Sequence, residues 1–348
     1  MTSIFGINVE LSELGRTAPT TVADHVFSYL RMLRDAANFS LANPLATSTP
    51  WNDRTFASLV PEFEKLWASN FRFQEPLEPS TNVQTIATGM RKFPPHEVFI
   101  AESLILEPDL KTYVDVVRQL TPEKAIMIVT LPELNAQSAA DTKEEVFRRE
   151  PWFDIRYAVD EISDEQIRRW QNSPGLAEFR LPEVNRFITT DFELLPSGDD
   201  NEVPVKVGLG AMQGFGELWH QQRVKFNVPT AQVTVHIYSD LPEVAKDAAI
   251  LRLWSCALNQ RLQTLLYSAS EAGFSYSVSA LDRGLEIAVA GFNEKLLLLY
   301  QEIVDVLAQP LMGSNKEGLL TDTSFAVYKD RLRQKTCNQV LNARKFTT

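Results

Sequence analysis

"EAGFSYSVSALDRGLEIAVAGFNE", residues 271–294, is the stretch that decides the fold. Phe274, Tyr276, Val278 and Ala280 alternate with Ser275, Ser277 and Ser279. After Asp282-Arg283-Gly284, Leu285, Ile287 and Val289 alternate with Glu286, Ala288 and Ala290. A period of two on both sides of a turn predicts a β-hairpin with one apolar face and one of small and hydroxyl side chains. The second face raises the question of whether the hairpin does chemistry or only walls a space in which chemistry is done.

The flanks complete the unit. Asp240 and Pro242 are start signals for a long helix to Ala272, about 45 Å at 1.5 Å per residue, and Gly273 is its stop. Upstream, Ala231 to Ser239 reads as a strand with Val233, Val235 and Ile237 on one face. Downstream, Asn293 caps a helix that ends before Pro310. Strand, helix, strand, strand, helix is an α+β arrangement, with helices packed on one face of a mainly antiparallel sheet.

The first half is less regular. "MTSIFGINVEL" alternates as a strand from near residue 1, and Thr20 or Thr21 can cap a helix through Val26, Leu30 and Leu33. The prolines of residues 40–50 allow no element. A helix is expected from Asp53 to Asn70, with Phe56, Leu59, Phe63, Leu66 and Trp67 buried, and another from Asn82 to Met90. Pro95 suits the first turn of a helix, Asp109 begins the next, and the apolar run Ala125–Thr130 predicts a buried strand. Residues 132–150 read as a surface loop. Ser163 followed by Gln166 is a capping box. Between Asn172 and Pro204 both periods fail and prolines recur, which places a domain boundary there. Neither terminus has a polar tail, and the chain reads as a central piece of something longer.

Composition excludes several functions. With 348 residues, 44% hydrophobic and 23% charged, the chain can bury a full core without staples. A net charge of −11 opposes a nucleic-acid surface. Two cysteines, Cys256 and Cys337, argue against a disulfide scaffold and for a reducing, cytoplasmic setting. No apolar run approaches the ~18–20 residues of a membrane span.

Catalytic patterns are missing. A helical zinc site needs two His four apart with an adjacent Glu. Four residues after His96 stands Ile100, His220 is followed by Arg223 and Val224, and His25 and His236 have no partner at that spacing. "VGLGAMQGFGELW" (207–219) lacks the Lys-Ser/Thr of a phosphate loop and misses the dinucleotide spacing by one residue, so it reads as a loop. Glu97 and Glu102 fall on different helical faces, and the hairpin serines have no nucleophile elbow. No catalytic and no metal-binding residue is assigned.

Several segments carry a resemblance. "NRFITTDFELLP" (185–196), "ELWHQQRVKFNVPTAQVTVHI" (217–237) and "EAGFSYSVSALDRGLEIAVAGFNEK" (271–295) resemble, in order, segments of the insulysin branch of the pitrilysin/insulysin zinc metallopeptidases. "FRFQE", "FPPHEVFIAE", "PDLKTYVDVVRQLTPEKA" and "QIRRWQ" agree in the first half. The resemblance implies four related α+β domains in two halves closing around a chamber for peptides, with zinc on an HxxEH motif in the first domain. That motif is absent here. On this basis residues 1–150 are the remainder of the second, non-catalytic domain, 151–191 the inter-half linker and 192–348 the first part of the third domain, both domains being incomplete.

The implied function is a non-catalytic chamber wall and hinge of a zinc endopeptidase. The parent would hold zinc and act on peptides, whereas this chain alone would bind no cofactor and be inactive. Phe179, Leu181 and Pro182 in "EFRLP" are the hinge candidates. Two other readings stand beside this one: a scaffold relative of the same fold without peptidase activity, and a peptide-binding module that adds a strand at a sheet edge. Partners expected are peptides, the other domains of the parent and a second copy in a homo-oligomer, with no nucleic acid and no membrane.

Overall fold

The computed structural model describes residues 4–50, 52–130, 147–173, 178–194, 203–210, 214–222, 225, 227–308 and 322–337. Its helices are α1 (Glu13–Thr17), α2 (Pro19–Ala42), α3 (Val60–Arg72), α4 (Pro79–Gly89), α5 (Leu110–Gln119), α6 (Asp164–Gln171), α7 (Ala245–Leu265), α8 (Tyr267–Glu271), α9 (Asn293–Ala308) and α10 (Asp322–Cys337). Its strands are β1 (Arg148–Arg149), β2 (Arg156–Tyr157), β3 (Val205–Val207), β4 (Leu218–His220), β5 (Thr230–Tyr238), β6 (Ser275–Leu281) and β7 (Gly284–Phe292), and every described pairing is antiparallel.

Two compact units share the chain. The first comprises residues 1–61 and 107–183, the second 62–106 and 184–348. In the first unit α2 is the organising helix. Met32 and Ala36 pack with Leu59 and Leu181, Ala37 with Val114 and Val117, and Phe27 and Leu30 with Trp170. The Phe27 and Trp170 rings stack at 4.6 Å, and Trp170 Nε1 donates to Asp24 Oδ1 at 2.9 Å. Buried indole N–H groups need such an acceptor. Asp109 caps α5 by accepting from Lys111 and Thr112 amides, and Ser163 Oγ caps α6 by accepting from Gln166 N–H, as their sequence positions predict.

The second unit is built on a three-stranded sheet in the order β5-β7-β6. The predicted hairpin is present: Leu281 pairs with Gly284 across Asp282-Arg283, and Val278 with Ile287. Gly284 sits at φ +124, and a Cβ there would lie 2.0 Å from the Ile237 carbonyl oxygen, so only glycine fits this corner. The apolar side of the sheet (Val278, Leu285, Ile287, Val289) is buried under Leu258 and Leu262 of α7 and Leu296, Leu299 and Ile303 of α9. Helices on one face of an antiparallel sheet is the α+β architecture expected.

Several expectations do not hold. Residues 4–10 form no strand, with Ile4 91% exposed. Ala125–Thr130 forms no strand, with Ile126 90% and Ile128 85% exposed, because no described strand lies beside it to make a ladder. The helix expected from Asp53 starts as a 3-10 turn at Phe56, and its stripe is only partly buried: Phe63 and Trp67 are exposed while Leu59 and Leu66 are inside. Residues after Pro95 make turns, not a helix. α2 begins at Pro19, not behind a threonine cap, since proline already has the φ of a first helical residue. The helix expected over 240–272 opens with a 3-10 turn and breaks at Leu266. Leu262, Leu266 and Ala269, on either side of the break, are all buried in the core. The loop expected over 132–150 lies largely outside the described residues.

Candidate functional site

The face of the sheet away from α7 and α9 is the candidate site. Register places three rows across it: Gln232, Ala290 and Ser275; Thr234, Ala288 and Ser277; His236, Glu286 and Ser279. Side chains alternate across a pleated strand, so these nine share one side. The result is a trough floored by two alanines of β7, with amide and hydroxyl side chains of β5 on one rail and serines of β6 on the other. His236 Nε2 lies 2.8 Å from Glu286 Oε2, and the His236 and Tyr238 rings meet edge-on at 6.3 Å. The pair is solvent-facing, with side chains 45% and 30% exposed, and contributes at most about 1 kcal/mol.

The two edges of the sheet differ. On β6, Val278 directs both backbone groups outward, and Asn259 of α7 takes both: Nδ2 donates to Val278 O at 2.6 Å and Oδ1 accepts from Val278 N–H at 3.2 Å. That edge is closed at its centre. On β5, the flanking bonds Asn293 N–H to Pro229 O and Ser239 N–H to Arg283 O fix the parity of the ladder. The odd-numbered residues of β5 therefore bond β7, and Gln232, Thr234 and His236 point their N–H and C=O away from it. No described strand pairs with that side. An antiparallel edge of this kind accepts an added extended chain.

The hinge candidates pack within the first unit. The Phe179 ring meets Tyr29 edge-on at 5.5 Å, and burial pushes the Tyr29 hydroxyl pKa up. Leu181 is 4% exposed and its N–H donates to Asn52 Oδ1 at 2.9 Å. The Pro182 carbonyl accepts from Arg54 Nη1 at 3.0 Å. Two residues further on the chain passes into the second unit.

The histidines stand apart. His25 Nδ1 is 2.6 Å from the Thr21 carbonyl, His96 lies 3.4 Å from its neighbour Glu97, and His220 ends β4. Among the described residues, no three His, Cys, Asp or Glu side chains converge as a metal ion requires. The described residues offer no set that fits zinc, which the resemblance places in the first domain of the parent, and no chemistry is derived through it. Glycines 208, 210, 214 and 216 face open space between β3 and β4, joining a hairpin. Sequence reasoning missed Asn259, whose role needs the fold to bring α7 beside β6. It also missed the His236–Glu286 pair, fifty residues apart in sequence.

The sheet, its helical layer and the ordered segments around them define the class: the chain belongs to the peptidase M16 family, the pitrilysin/insulysin metallopeptidases. Residues 71–345 match the family described as the middle or third domain of peptidase M16. Human nardilysin is 30% identical over 312 residues, covering 88% of this chain and 24% of that protein. Human insulin-degrading enzyme is 28% identical over 307 residues, covering 87% and 27%. The crystal structure of pitrilysin superposes with a TM-score of 0.64 at 20% identity, over 94% of this chain and 31% of that one, a likeness of fold. The chain spans about a quarter of the length of these curated relatives. Among the described residues no helix is long and apolar enough to cross a membrane.

Proposed function

We propose that this chain is the non-catalytic central segment of a cytoplasmic zinc metalloendopeptidase, forming part of the wall of its peptide chamber and the hinge between its halves. The observation that carries the reading is the conjunction of M16 membership with a donor-poor, hydroxyl-lined sheet face. Hydrolysis in this family needs a metal-activated water, and the described residues bring together no ligand set for one; a chamber wall needs only a surface that tolerates many extended peptides. The two floor alanines and the hydroxyl and amide rails beside them suit that. Residues 1–150 would belong to the second domain, 151–191 to the linker and 192–348 to the third. Phe179, Leu181 and Pro182 would be hinge residues.

The test is elemental analysis and peptide hydrolysis by the isolated chain beside its parent. The chain should carry no stoichiometric zinc and no metal-dependent activity. Stoichiometric zinc lost on mutating His96 or His220 would overturn the assignment.

One observation favours a second reading, a peptide-binding module. Among the described residues no strand pairs with the outer edge of β5, whereas Asn259 closes the β6 edge at its centre. Titrating the chain with an unfolded cationic peptide distinguishes them: saturable binding weakened by substitutions in β5 supports the module, and no binding up to millimolar peptide removes it.

A further inference from the structure

The segment after the crossing is tied down at every turn. Asn185 Nδ2 donates to Ser268 O at 2.8 Å, while its Oδ1 accepts from Phe187 N–H at 2.9 Å. Phe187 is 1% exposed, and Thr189 is buried. The Phe192 ring lies 4.9 Å from Phe73 and 5.3 Å from Phe292, with the Arg72 guanidinium over both Phe73 and Phe192. At the centre is Glu294, in the first turn of α9. Its Oε2 accepts from Thr190 N–H at 2.7 Å and Asp191 N–H at 2.9 Å, and its Oε1 from Lys295 Nζ at 2.8 Å. Next to it Asn293 Nδ2 donates to Glu193 O at 3.3 Å, and Asn293 N–H to Pro229 O at 3.0 Å.

On the other side of the crossing, Leu181 and Pro182 are held by Asn52 and Arg54. Only Glu183 and Val184 lie between the two anchored stretches, and both are exposed, Val184 at 69%.

We propose that Glu294 is the latch that fixes the connecting segment Asn185–Glu193 to the start of α9. The latch works through geometry. One carboxylate satisfies two consecutive amides of a segment a hundred residues away, which holds the backbone at Thr190 and Asp191 in one conformation. Charge-assisted bonds of this type are about twice as strong as neutral ones. Its value to a moving enzyme rests on the hinge reading above, but the latch itself does not.

Two glutamates make the test direct. A Glu-specific protease can cut after Glu183, in the exposed stretch before Asn185, or after Glu193, in the latched stretch. The 348-residue chain should be cut after Glu183 and spared after Glu193. In Glu294→Ala, cleavage after Glu193 and amide exchange at Thr190 and Asp191 should rise about tenfold or more, the loss expected for one charge-assisted bond. Ile287 and Val289 amides should be unchanged. Should those also exchange faster, Glu294→Gln, which keeps the shape and one acceptor, is read in its place and should show a smaller rise confined to residues 185–193. Equal cutting at both glutamates in the wild type, or unchanged exchange at Thr190 and Asp191 in both variants, overturns the latch. If the latch holds while Phe179→Ala leaves turnover of the parent unaltered, the hinge reading alone falls.

Discussion

Asn259 of α7 holds both backbone groups of Val278 in β6, donating to its carbonyl and accepting from its N–H. A helix side chain thereby stands in for the missing neighbouring strand. Edge strands expose unpaired groups that recruit other chains, and natural proteins cover them. Asn259→Leu should orphan a donor and an acceptor at once and cost about 1–3 kcal/mol. Thermal unfolding of the two chains checks this; equal midpoints would mean that water replaces the amide without loss.

Gly291 faces Phe274 in the same core. Its φ is +153, and a Cβ there would lie 2.3 Å from Phe274 Cδ1. Phe274 is 4% exposed and packs on Phe187 and Phe292, so the ring has nowhere to go. Gly291→Ala should destabilise by about 1–3 kcal/mol. In a Phe274→Leu background the same substitution should cost less, because the clashing ring is gone. Denaturant unfolding of the four chains measures the coupling, and strict additivity would rule the clash out.

The second unit was largely legible because its signals are local. Period-two alternation on both sides of Asp282-Arg283 specified the hairpin and which of its residues face the helices. In the first unit, capping chemistry likewise located α5 and α6 at Asp109 and Ser163. What failed depended on partners. Ala125–Thr130 has the composition of a buried strand, but burial needs neighbours that composition does not supply, and Ile126 and Ile128 stay in solvent. Phe63 and Trp67 have helical spacing without a covering layer. Of the candidate site, the serine rail was visible in the sequence. The β5 rail and the Glu294 latch were not, since each joins residues fifty or more apart.

Acid should loosen the latch in a defined window. Partial burial alone would push the Glu294 carboxyl up, but the bond from Lys295 and the amides of Asp191 and Thr190 outweigh it and hold the pKa at about 2, below the ordinary 4.5. A carboxyl depressed in the folded state contributes stability that is full above about 4.5 and fades as pH falls towards 2. Glu294→Gln has no such titration. The difference in melting temperature between wild type and Glu294→Gln should therefore be widest above pH 5 and shrink steadily below pH 4. A difference constant from pH 6 to pH 3 would show that the charge of Glu294 does not stabilise the fold.

The outer edge of β5, which no described strand covers, bears on self-association. Its sequence, TAQVTVHIY, has no lysine, proline or glycine of the kind that blunts an edge, and His236 is engaged by Glu286. Val233 and Ile237 on the helix side are 40% and 48% exposed. The isolated chain is expected to form homodimers at high concentration by pairing at this edge. Thr234→Pro is the discriminating variant: its N–H points outward, so the substitution removes a donor from the free edge without removing a ladder bond to β7. It should weaken the dimer about tenfold, the worth of roughly one hydrogen bond, with no change in circular dichroism. Val233→Pro, which does break a β7 bond, should instead disturb folding. Light scattering and sedimentation across a concentration series measure both; a monodisperse monomer at every concentration would leave the edge without a self-pairing role.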